Sequence, residues 1–463
     1  MSGFIEKLRG VPDAEFGLVD VYGLLLGARL LVPKGELNVN EADLKISNQR
    51  DYVANGKAPL PIYTAVRHEI PANVPDRTEP SHLAWSNAKH FDYFQWFEWT
   101  PYEFACEELE CGIPTWAVGR GWDAGETVWR EDGLALPELR VPLMMGIWGS
   151  AFCATLSHYY NEIRPLMKAA GFSKLDTLLA GKDDDLVKVH PIDPAVIPNF
   201  ARGLRDKLPE DCPNSIHDSS HLQLMDAGMS NNLPIYPLLR PGRKVDVILA
   251  FDASADVRAD NWIKVVDGYV RQRGIKGWPM GAGWPPSTSD KEKAVKDLQD
   301  AQAAAGVADE AVDGAEYLQQ PAQDLGYCNV WVGSTQERHE YMDEPTAPQV
   351  KSVDDDWHIT SNDAGITLIY FPFLANDKVP GVDPLKSDFL STWNFVYTPE
   401  EIEKVVALAR ANYNEGKEQT RRAIRAVWER KRKLRLMREE EDRELQQRYR
   451  MRKTTRALSD HFS

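Results

Sequence analysis

An α/β fold is what this sequence predicts, on three observations. Short apolar runs of strand length alternate with stretches of helical periodicity. The clearest strand stops at an Asp-x-Gly turn rather than running on into polar sequence. With 463 residues, 43% of them hydrophobic, the chain can bury a substantial core.

Val19 to Leu31 carries apolar residues at helical spacing and is read as a helix. Leu60 to Val66 reads as a buried strand. Leu139 to Ile147 is read the same way, with Pro142 marking an edge or a bend. His221 to Met225 alternates apolar and polar residues and stops at Asp226-Ala227-Gly228, and Val245 to Phe251 forms a second strong strand. Asp226 therefore falls at a strand tip, where ligand-binding and catalytic groups collect in α/β sheets. Asp260 is placed to cap a helix whose Ile263, Val266 and Val270 share one face before Gly274 ends it. From about 281 to 326 the composition turns to Ala, Asp, Gln, Lys and Pro. This reads as a low-complexity insertion with one exposed helix from Asp290 to Ala304. Asn329 to Gly333 and Ile366 to Phe371 are strands, and from Pro399 onward the pattern is helical. The expected domains are 1–415 for the α/β body and 416–463 for a basic helical tail.

A net charge of −16 argues against nucleic acid as the partner of the body. No apolar run approaches the ~20 residues of a membrane span. The opening segment MSGFIEKLRG lacks the apolar core of a secretory signal. Five cysteines, an odd number in a long chain, suggest reduced thiols and a cytoplasmic location. The histidines include no HExxH and no spaced His/Cys set, so neither a metal nor another cofactor is expected. Asp183-Asp184-Asp185 and Asp354-Asp355-Asp356 lack calcium-loop spacing and read as solvated loops. Ser220 and His221 lie near Asp226, but neighbours on a strand point to opposite faces, which argues against a triad.

Several motifs occur in a definite order: Asp20-Val21-Tyr22-Gly23, Pro59-Leu60-Pro61-Ile62-Tyr63-Thr64 and Glu98-Trp99-Thr100-Pro101-Tyr102-Glu103. Gly146-Ile147-Trp148-Gly149-Ser150-Ala151-Phe152, Asp226-Ala227-Gly228, Asn232-Leu233-Pro234, Leu239-Arg240-Pro241 and Phe251-Asp252-Ala253-Ser254-Ala255 follow. Pro380-Gly381-Val382 and Ser391-Thr392-Trp393-Asn394-Phe395 close the series. Together they resemble the catalytic domain of cytosolic (group IV) phospholipases A2 and fungal lysophospholipases. The resemblance implies a patatin-like three-layer core with a lid over a lipid cleft, here at about 160–215. It also implies acyl-ester hydrolysis of phospholipids or lysophospholipids at a membrane surface by a Ser–Asp dyad. Residue by residue, Asp226 matches the family's catalytic aspartate. A turn-forming Asp is the bland alternative.

The serine half of the dyad is another matter. No Gly-x-Ser-x-Gly occurs in the sequence. Gly146 to Ser150 imitates that pattern with tryptophan at the nucleophile position, but it matches a segment the family carries downstream of its elbow. It is expected to be structural, with Ser150 and Cys153 set aside as nucleophiles. In the family, the elbow and its oxyanion loop precede the region matching Asp20-Val21-Tyr22. The expectation is therefore a chain incomplete at its N-terminus, inactive as it stands. Two further readings are a catalytically inactive, lipid-binding relative and an interaction protein working through its basic helix.

Overall fold

The computed structural model describes residues 17–32, 41–68, 94–129, 136–153, 194–210, 212–254, 262–283, 325–336, 349–350, 358–391 and 396–462, with 7, 133, 257 and 394 beside them. The lid-like stretch, the insertion and its helix, Asp260 and both acidic triplets fall wholly or largely outside the described residues. The chain divides into two compact units, Met1–Arg240 and Pro241–Ser463.

The first unit is built on a six-stranded sheet. Its members are β1 (Tyr63–His68), β2 (Phe94–Trp99), β3 (Glu103–Cys106), β4 (Cys111–Pro114), β7 (Ala195–Pro198) and β8 (His221–Asp226), in the order β4-β3-β2-β1-β8-β7. A small hairpin, β5 (Gly121–Asp123) and β6 (Glu126–Val128), stands apart. Every pairing in the large sheet is antiparallel, and Ala65 of β1 stands opposite Asp226 of β8. All six residues of β2 are buried, so the sheet is covered on both faces at this strand, while β4 at its edge is partly exposed. Helix α1 (Leu18–Leu31) packs on α2 (Val141–Trp148), and α2 packs on β1 and β8. The two helices meet backbone to backbone. A Cβ on Gly23 would collide with the Pro142 carbonyl and lie 2.7 Å from the Gly146 nitrogen.

The strand expected over Leu139–Ile147 is thus corrected to a helix starting at Val141. Pro142 sits in its first turn, where a fixed φ and a missing N–H carry no penalty. The apolar run is short enough for either structure, and its packing against α1 decided it. Nearby, Trp148 stacks on Tyr63 with centroids 4.3 Å apart and meets Trp99 edge-on at 5.9 Å.

The second unit has a four-stranded sheet in the order β11-β10-β12-β9: β9 (Val247–Asp252), β10 (Asn329–Ser334), β11 (Gln349–Val350) and β12 (Ala364–Pro372). β9 and β12 are parallel and the other pairs antiparallel. Helix α3 (Trp262–Gln272) buries Ile263, Val266 and Val270, and Gly274 follows it with φ +61°. Helix α4 (Pro399–Phe462) is 64 residues long, or ~96 Å at 1.5 Å per residue. Its Ala423 and Val427 share a core with Val330, Val332, Ile369 and Phe371. Gly416 lets the helix close on Cys328, whose Sγ would lie 2.7 Å from any Cβ there. Asp252 closes β9 by accepting from the Tyr370 hydroxyl at 2.8 Å and the Ser254 N–H at 2.9 Å, so the Phe-Asp-x-Ser motif has structural work in this unit.

Candidate functional site

The site is built at the end of β8. Leu222, Leu224 and Met225 are buried. They anchor the strand, and Asp226 ends it as the cap of the single 3₁₀ turn Ala227–Met229. The Gly228 N–H donates to Asp226 Oδ1 at 2.8 Å. A Cβ on Gly228 would lie 2.7 Å from Asn232 Oδ1 and 3.1 Å from Asp226 Oδ1, so a larger residue there would displace both side chains.

The segment leaving α2 supplies the other wall. Gly149 ends the helix and Ser150 follows, buried completely. The Ser150 hydroxyl donates to the Ile147 carbonyl at 2.8 Å and accepts from the Asp226 backbone N–H at 3.2 Å. A second backbone N–H, that of Ala151, bonds the Asp226 carboxylate. Two N–H donors therefore fix the carboxyl. Burial still outweighs them and pushes it up to about 6.

Tyr22 of α1 reaches the same place. Its ring lies against Gly149, where a Cβ would stand 3.3 Å from Cε1 and 3.5 Å from the phenol oxygen. Burial, then the charge of Asp226, raises its phenol. Cys153 is buried too, and burial pushes its thiol up to about 12. A thiol protonated at any physiological pH is no nucleophile.

Asp226, Ser150 and Cys153 are thus brought together, and only Asp226 has acid–base chemistry near neutrality. Ser150 has committed its proton to the Ile147 carbonyl, and its oxygen already accepts from the aspartate's own backbone. Trp148, at the nucleophile position of the lookalike pattern, lies in the aromatic core. Ser220 and His221 do make contact, contrary to the opposite-face expectation: Ser220 Oγ is 2.7 Å from His221 Nδ1. Ser220 precedes β8 in a bend, so strand alternation does not govern it. The pair is exposed and lies at the far end of the strand from Asp226. Sequence reasoning missed Tyr22 as a neighbour of Asp226, and nothing local in the sequence signals it.

The loop after Asp226 is held at several points. Trp96 Nε1 donates to Ser230 Oγ at 3.1 Å, and Asn231 bonds the Leu233 N–H and the Tyr236 hydroxyl. At its end Arg240 pairs with the buried Glu98 and, at 3.2 Å, with Glu103. Among the described residues no three His, Cys, Asp or Glu side chains gather as metal ligands, and no described helix is long and apolar enough to cross a membrane.

A family profile described as lysophospholipase catalytic domain matches residues 5–278. Cytosolic phospholipase A2 zeta from Homo sapiens is 28% identical over 304 residues, 56% of this chain and 32% of that protein. The Mus musculus protein of the same name is 25% identical over 314 residues, 56% of this chain and 33% of that protein. Phospholipase B from Cryptococcus neoformans is 25% identical over 250 residues, 52% of this chain and 34% of that protein. The chain thus spans about a third of the length of these relatives. Among solved structures, human GIVD cytosolic phospholipase A2 superposes with a TM-score of 0.54 at 19% identity, covering 92% of this chain and 48% of the other. This likeness establishes the fold, an α/β architecture of the patatin-like kind.

Proposed function

The chain belongs to the lysophospholipase catalytic-domain family, and from that premise we propose that Asp226 is the base of a Ser–Asp dyad that hydrolyses acyl esters of glycerophospholipids. A serine hydroxyl attacks an ester only when a base takes its proton. The base works best when its own pKa lies close to the operating pH. One observation carries the reading: a carboxyl at a strand tip, fixed by two backbone N–H groups and pushed by burial up to about 6. At neutral pH it is ionised and still basic enough to accept a proton.

The serine is proposed to stand on an elbow outside these 463 residues, since no Gly-x-Ser-x-Gly lies within them. The same fact favours the second reading, a relative that binds lipid without hydrolysing it. Acting alone, the 463-residue chain is expected to hydrolyse lysophospholipid at the buffer rate. The substrate is taken to be a phospholipid or lysophospholipid in a membrane facing the cytosol.

Reading the transcript upstream of Met1 separates the two. An in-frame Gly-x-Ser-Gly after a glycine-rich stretch supports the dyad, and its absence supports the inactive relative. In a chain that carries the elbow, Asp226→Asn is expected to abolish both lysophospholipid hydrolysis and serine labelling by a fluorophosphonate, with folding intact. Retained hydrolysis would refute the role of Asp226.

A further inference from the structure

From the solvent-facing side of α4 we infer a docking face for anionic membranes, carried by the second unit and separate from Asp226. Half of the eighteen residues from Arg421 to Arg438 are Lys or Arg, and Glu429 is the one acid among them, on a chain of net charge −16. Core packing fixes how the helix is turned. Ala423 and Val427 are buried, and Arg430 points inward to donate to the Ile359 and Gly365 carbonyls at 2.9 and 3.3 Å. At 100° per residue, the opposite side then carries Arg421, Ile424, Arg425, Trp428, Arg432 and Arg435. All six are exposed. Glu418 and Glu439 bound this side, pairing with Arg421 at 3.3 Å and Arg435 at 3.6 Å, and leave Arg425 and Arg432 as its central cations.

The apolar members decide what kind of surface this face fits. Ile424 is 47% exposed and Trp428 58%, with Leu436 also exposed about two turns past Trp428. Arg432 lies over the Trp428 ring, 5.5 Å from its centroid. A phosphate backbone alone would satisfy the cations and leave the tryptophan and isoleucine in water. A bilayer with acidic headgroups takes both. Indole and aliphatic side chains enter the headgroup boundary while guanidinium groups stay at the phosphates. The remainder of the chain is acidic and repelled by the same surface, so this face is the one that binds.

The test is flotation of the whole chain with vesicles of phosphatidylcholine, with and without phosphatidylserine. Binding to the anionic vesicles only, weakened by salt, is expected. Replacing Arg421, Arg425, Arg432 and Arg435 by Ala should weaken it by about fivefold per residue, several hundred-fold together. Trp428→Ala should remove the binding that survives high salt. Asp226→Asn should bind like the unaltered chain, so failure of the hydrolytic reading leaves this result standing. Equal binding to neutral vesicles, undiminished binding by the fourfold variant with its helix content intact, or preference for duplex nucleic acid over anionic vesicles would each overturn the proposal.

Discussion

If burial raises the Asp226 carboxyl as the site geometry requires, Asp226→Asn should make the first unit more stable at alkaline pH and not at acid pH. In the folded chain the group titrates at about 6, against an ordinary 3.8. Between those values the native state holds a proton that the unfolded state has released, so stability falls as pH rises through the interval. At 1.36 kcal/mol per pH unit, the rise from 3.8 to about 6 makes an ionised Asp226 cost ~3 kcal/mol above the upper value. Asparagine never ionises, and its Oδ1 can still accept from the Gly228 N–H. Its NH₂ must also find a partner, so the realised gain is about 1–3 kcal/mol. Urea unfolding at pH 4 and pH 8, followed by tryptophan fluorescence, reads the difference between the two chains. A variant less stable at pH 8, or a difference that does not change with pH, would refute the reasoning. Either result would mean that the carboxylate is stabilised where it stands. A gain on removing the charge would fit a residue retained for chemistry.

Three further outcomes test the frame around the site. Gly23→Ala places a methyl against the Pro142 carbonyl and Gly146, and should cost about 1–3 kcal/mol or more in urea unfolding by forcing α1 off α2. Arg240→Ala removes the cation facing the buried Glu98. A loss of about 3–5 kcal/mol is expected from the same measurement, and a neutral result would show the pair to be dispensable. Glu108 accepts from the Trp96 N–H and the Cys106 thiol, and burial pushes it up to about 7. Its contribution to stability should therefore be lost as pH rises from about 4.5 through 7, and Glu108→Gln should flatten that slope.

Asp226 could be picked out from sequence because strand, turn and flanking motifs lie next to one another along the chain, and alternation over His221–Met225 is enough to end the strand there. The helices α1, α3 and α4 were likewise legible, since their periodicity is local. Leu139–Ile147 was not. An apolar run of that length fits strand or helix, and only the close approach of Gly23 to Gly146 selects the helix. Ser220 and His221 escaped the alternation rule because a bend, set by the surrounding fold, precedes the strand.

The sequence by itself determined the α/β class, the chain's family and the carboxylate to examine, all of which rest on patterns between near neighbours. Tertiary structure alone decided that Tyr22, Ser150 and Cys153 surround that carboxylate, that the Ser150 proton goes to the Ile147 carbonyl, and which side of α4 faces water. These are matters of burial and of contacts between residues far apart in the chain. Desolvation, which moves the Asp226 carboxyl into the range where it can work as a base, has no counterpart in the order of residues.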